Sequence, residues 1–135
     1  MYLRILKIFV VAFILSLTNS TVSYSQDEEL YSRVYTACLS AYETSRQKSY
    51  RQKDCECFVE ALHQDQQISE ILNSLDIHER KNVFYYLEEE YRDLDKFTNP
   101  DRISEIDPGL LDVGSIAVNI RQKATISSIQ CRVSD

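Results

Sequence analysis

Glycine and proline are scarce, with two of each in 135 residues. A β-rich chain needs turn residues at each reversal, so this scarcity excludes a sandwich or barrel and leaves an all-α fold. Catalytic motifs are missing as well. No Ser/His/Asp grouping, glycine-rich phosphate loop or HExxH occurs in the sequence. Glu88, Glu89 and Glu90 stand at consecutive positions, and consecutive helical side chains do not converge on one point. The expectation is a protein that is not an enzyme and needs no cofactor. Basic residues are outnumbered 21 to 15, for a net charge of −6. Such a chain has no electrostatic reason to seek nucleic acid or an anionic membrane.

What is present begins with the N-terminus. MYLRILK carries Arg4 and Lys7 without an acid, and the apolar run IFVVAFILSL fills residues 8–17. A run of ten residues, broken only by Ser16, falls well short of the roughly 20 that span a bilayer as a helix. A basic start, a short apolar stretch and small residues beyond it read as a secretory signal peptide over residues 1–25. Ser23 and Ser25 precede a cut before Gln26, and a cut after Ser20 is the alternative. Cleavage before Gln26 leaves 110 of the 135 residues and removes two bases and no acid, so the net charge moves from −6 to −8. The expected product is a single helical domain over residues 26–135, secreted or periplasmic, without stable membrane insertion.

Helical periodicity organises that domain. Tyr31, Tyr35, Cys38 and Tyr42 recur at steps of four, three and four beside Leu30, Val34 and Ala41, which predicts a first helix from about Asp27 into the mid-forties. SRQKSYRQKD (45–54) is polar and basic and forms either a hairpin loop or the exposed first turns of a second helix. Cys55, Phe58, Val59 and Leu62 continue that second helix, with a kink or break near Asp65 before Ile68, Ile71, Leu72 and Leu75. A third helix opens at Asp76, with Glu79 at the reciprocal capping position, and runs through Val83, Phe84, Leu87, Tyr91, Leu94 and Phe97. TNPD (98–101) ends it, because Pro100 cannot continue the ladder. Residues 101–112 read as one long connection, and Val113, Ile116, Ala117, Ile120, Ala124, Ser127 and Cys131 mark a last helix, against the β-branched character of ATISSI. The sum is a small disulfide-stapled bundle of about four helices.

Cys38, Cys55, Cys57 and Cys131 are an even set in a short chain with a leader, which argues for disulfides. Residues two apart on a helix point roughly 200° from one another, so a Cys55–Cys57 bond is strained. That leaves Cys38–Cys55 with Cys57–Cys131, or Cys38–Cys57 with Cys55–Cys131. A metal centre built on Cys-x-Cys lacks a second close pair and the usual spacing of two to four. A redox pair is disfavoured because Asp54 and Glu56 flank the thiols and raise their pKa.

Two surfaces are candidates for function. YYLEEEYRDLD (85–95) concentrates Glu88, Glu89, Glu90, Asp93 and Asp95, which predicts a charged helix face that binds another protein. The alternative is a carrier of a small apolar ligand, with Tyr31, Tyr35, Tyr42 and Phe58 lining a cavity.

The leader, YTACLSAYETS on the first helix and DCECFVEALHQD opening the second resemble small secreted proteins known mainly from proteobacterial genomes. Those carry one helix cysteine, then Cys-x-Cys, then often a further cysteine near the end. The resemblance covers roughly residues 31–62 and implies a periplasmic helical domain. Insect odorant-binding proteins are less similar, because their second and third cysteines are separated by three residues.

Overall fold

A computed structural model describes residues 27–41 and 48–133. The leader read at 1–25 and Tyr42 lie outside the described residues. Helix α1 covers residues 27–41. It is followed by α2 (Lys48–Gln64), α3 (Gln66–Ser74) and α4 (Ile77–Arg92). Then come α5 (Leu94–Thr98), a 3-10 turn at Pro100–Glu105, α6 (Pro108–Asp112) and α7 (Gly114–Val133). No strand occurs among the described residues, so the fold is all-α and stapled by two disulfides.

The breaks between helices have local causes. Asp65 leaves the helical region and accepts the backbone N–H groups of Gln67 and Ile68, capping α3. The α2 stripe and the α3 stripe therefore belong to two helices that meet at one residue. Asp76 caps α4 with a reciprocal bond from its own N–H to Glu79, and this satisfies donors that a helix start leaves without partners. The expected third helix, continuous to Phe97, is corrected: it ends at Arg92. Asp93 turns out of the helix and accepts the N–H of Lys96, starting α5 as a separate turn. Residues 93–113 are then not a plain loop but a chain of short capped turns. Asn99 caps the 3-10 segment and Asp107 caps α6. Asn82 Nδ2 bonds the Gly109 carbonyl at 3.2 Å, holding α6 against α4.

The last helix runs twenty residues through ATISSI without interruption. The helix penalty of its β-branched residues is only a few tenths of a kcal/mol each. Burial of Ala117, Ile120, Ala124 and Ser128 outweighs it. The Ser128 hydroxyl donates to the Thr125 carbonyl and accepts from Arg132, so it is buried with its bonds made. α7 packs chiefly on α2 and also on α4. Leu30 and Val34 of α1, Phe58 and Leu62 of α2, Ile68 and Leu72 of α3, and Val83, Phe84 and Leu87 of α4 close one core around it.

Asp65 has a second duty, since Ser127 of α7 donates its hydroxyl to the same carboxylate. That bond, followed by the two backbone donors, holds the carboxyl below its ordinary range. A carboxylate with a depressed pKa adds stability above its unfolded pKa and loses it as pH falls through the folded value. Asp65→Ala is expected to cost about 1–2 kcal/mol at pH 7. The gap from the parent chain should narrow below pH ~4, as urea midpoints at pH 7 and pH 3 will report.

Candidate functional site

The cysteines resolve into Cys38–Cys55 and Cys57–Cys131, with Cα–Cα separations of 5.8 and 5.6 Å. Cys55 faces α1 and Cys57 faces α7, as the opposed directions of residues two apart require. The sulfurs of DCEC are staples. Cys38, Cys55 and Cys57 are buried, while Cys131 is half-buried at the edge of a cleft beside Glu60 and Gln64.

The acids of 85–95 do not form one exposed strip, which corrects the expected charged face. Glu88 is only 2 % exposed and Glu90 only 9 %. Three consecutive helical side chains fan out over roughly 200°, so a helix packed on two sides must turn some of them toward neighbours. Glu88 receives two bonds from Arg33 of α1, at 2.8 and 3.2 Å, and a further ion pair from Arg92. This fork-to-carboxylate arrangement is the strong form of the contact, and Glu88 holds the Arg33 guanidinium charged. Arg33 also lies 4.9 Å over the Tyr85 ring. Glu90 pairs with Arg121 of α7, and burial raises its carboxyl pKa against the opposing pull of that arginine.

The remaining acids are more exposed and also occupied. Glu89 meets Arg92 and Lys96, both at 3.6 Å. Asp93 and Asp95 share Arg102 with Glu105, at 2.8, 3.0 and 2.8 Å. Hydrogen bonds from Arg102 lower the Asp93 and Glu105 pKa values and keep the arginine charged. Arg33, Arg92, Lys96, Arg102 and Arg121 thus face Glu88, Glu89, Glu90, Asp93, Asp95 and Glu105, a nearly balanced set.

The aromatic candidates are dispersed. Tyr31 packs edge-on against Phe84 and at 4.9 Å from His63, and its hydroxyl pKa is pushed up to about 12 by burial and then by Asp27. Phe58 stands edge-on to Tyr91. Tyr35 lies at the surface and donates to Glu56 at 3.4 Å. Among the described residues, Tyr31, Tyr35 and Phe58 thus make separate contacts, and none of the three lines the groove at Ile126 or the clefts beside Glu60 and Arg121.

Two features escaped the sequence reading. The first is the outward side of α7. Ile126, Ile129 and Val133 are 68, 51 and 77 % exposed, and their spacing of three and four puts them on one stripe. Among the exposed residues of α7 only Arg132 is charged, and it is tied to Asp54 at 3.3 Å. Ile126 also forms part of a 590 Å³ groove with Asp65, with Gln66, Gln67 and Glu70 of α3, and with Lys123 and Ser127 of α7. The spacing signal was present, but it lies off the buried stripe of α7 and reads as scatter until the core is known.

The second is a 440 Å³ cleft lined by Ala41, Glu90, Tyr91, Arg92, Leu94, Arg121 and Thr125. It joins residues from four helices, so no local pattern announces it. Among the described residues no cluster of three or more His, Cys, Asp or Glu is placed to hold a metal. No described helix is long and apolar enough to cross a membrane. No family model, curated protein or solved structure matches the chain.

Proposed function

We propose that this is a non-enzymatic, secreted or periplasmic helical module that binds another protein, with the outward face of α7 as its docking surface. The observation that carries this reading is the stripe of Ile126, Ile129 and Val133, exposed together on the outward side of α7 and flanked by two cations that already have partners, Lys123 on Gln67 and Arg132 on Asp54. Apolar groups exposed together are a mark of interaction sites. The Cys57–Cys131 bridge and the Asp65–Ser127 bond fix this half of α7 on α2 and α3, which lowers the ordering cost of association. Two disulfides support an oxidising compartment.

The partner that fits presents an apolar, uncharged element such as a helix with a complementary stripe. The nearly neutralised acids Glu89, Asp93 and Asp95 make the charged face a weaker anchor, and reversing Glu88 or Glu90 would disturb folding before it tested binding.

The test begins with capture from envelope extract by the oxidised protein, followed by purification of the captured partner and measurement of its affinity. Ile126→Asp/Ile129→Asp is expected to weaken binding of the purified partner at least ~10-fold, about 1.4 kcal/mol. Ile77→Asp, which alters an exposed isoleucine at the start of α4, should leave binding unchanged. Undiminished affinity of the α7 variant would contradict this surface.

A further inference from the structure

We infer that the cleft between α1, α4, α5 and α7 is a binding site for a small amphiphilic carboxylate. Its volume of about 440 Å³ lies in the range of small-molecule sites, roughly 300–1,000 Å³. Its lining includes the apolar groups Ala41, Tyr91 and Leu94, the last 56 % exposed and contributing nothing to the buried core. It also includes two guanidinium groups, Arg92 and Arg121. Apolar and cationic groups share one space, and a ligand with a hydrocarbon body and a single anionic head satisfies both.

Both arginines are ion-paired. Arg121 engages Glu90 through Nη1, and Arg92 engages Glu88 and Glu89. A guanidinium carries five N–H donors in a rigid fork, so one that is braced by a buried carboxylate can still present donors to a second acceptor. The lining holds two cations, Arg92 and Arg121, and one acid, Glu90, while Glu88 and Glu89, which pair with Arg92, are not part of it. A carboxylate head is the better match to this fork, because two parallel N–H···O bonds fit it.

The cleft and the α7 stripe adjoin at one edge, where Thr125 stands four residues before Ile129, while Arg121 lies roughly 80–140° around the helix from Ile126, Ile129 and Val133; the variants at Leu94 and Arg121 therefore test the cleft apart from the stripe.

The probe is decanoate, with decanol as its uncharged counterpart, titrated calorimetrically into the oxidised chain. Decanoate is expected to bind one to one and at least ~10-fold more tightly than decanol. Leu94→Glu, at an exposed position, should abolish binding while the helical circular dichroism stays native. Arg121→Gln alone leaves Glu90 buried without its partner, so Glu90→Gln/Arg121→Gln is the useful variant. It should erase most of the preference for decanoate over decanol. Absence of decanoate binding, equal binding of decanol, or unchanged binding by Leu94→Glu would each overturn the assignment.

Discussion

Removing the Cys57–Cys131 bridge is expected to destabilise the protein by about 4.5 kcal/mol, and removing Cys38–Cys55 by about 3 kcal/mol. The order follows from the separations along the chain, 74 and 17 residues, because a longer closed loop restricts the unfolded chain more. Domains of this size have roughly 5–15 kcal/mol of total stability, so either loss takes a large share. Alanine pairs are the right variants, since Cys38, Cys55 and Cys57 are buried and a serine hydroxyl there would add a polar cost of its own. Cys57→Ala/Cys131→Ala also frees the C-terminal turns of α7, which carry the exposed stripe. Its melting temperature should fall by tens of degrees, at about 4–8 °C per kcal/mol for a small domain. Equal losses for the two pairs, or a smaller loss for the 57–131 pair, would contradict the chain-entropy explanation.

The second large effect concerns Glu88, and it is asymmetric. Arg33→Ala/Arg92→Ala should cost about 3–5 kcal/mol, because it strands a buried carboxylate without either counter-charge. Glu88→Met should cost far less, under about 1.5 kcal/mol. The two arginines it leaves are 44 and 56 % exposed, so their guanidinium groups turn to water without being stranded. Urea midpoints of the two variants at pH 7 decide the matter. A Glu88→Met loss equal to that of the arginine pair would mean that the ion pair itself, and not the burial of one charge, sets the cost.

How much was legible in the sequence depended on how local its cause was. The capping pair Asp76 and Glu79, the break at Asp65 and the helical register of Phe58, Leu62, Val83 and Leu87 all rest on neighbours within a few residues. They were readable for that reason. The break at Asp93 was missed because hydrophobic periodicity runs on through Leu94 and Phe97, and Phe97 does pack, edge-on against Tyr86 at 4.7 Å. The chain keeps the apolar contact and changes the backbone beneath it.

Charge was the harder case. Three successive glutamates read as a solvated face, and what buries two of them are arginines 55 and 31 positions away. Nothing within α4 records those partners. The disulfide pairing was open for a similar reason, since Cys55 and Cys57 are equally good partners until the placement of α1 and α7 on opposite sides of α2 is known. The cleft at Arg121 and the stripe at Ile126 are products of tertiary assembly, and single-helix patterns could not reveal either.

The most direct test of the stapled bundle, on which both proposed surfaces depend, is non-reducing peptide mapping of protein purified from an oxidising compartment. Cleavage after Glu56, which alone separates Cys55 from Cys57, makes the two pairings distinguishable by mass. The predicted result is a Cys38 peptide linked to the Cys55 peptide, a Cys57 peptide linked to the Cys131 peptide, and no free thiol. Linkage of Cys38 to Cys57, or a substantial population of free cysteines, would contradict it.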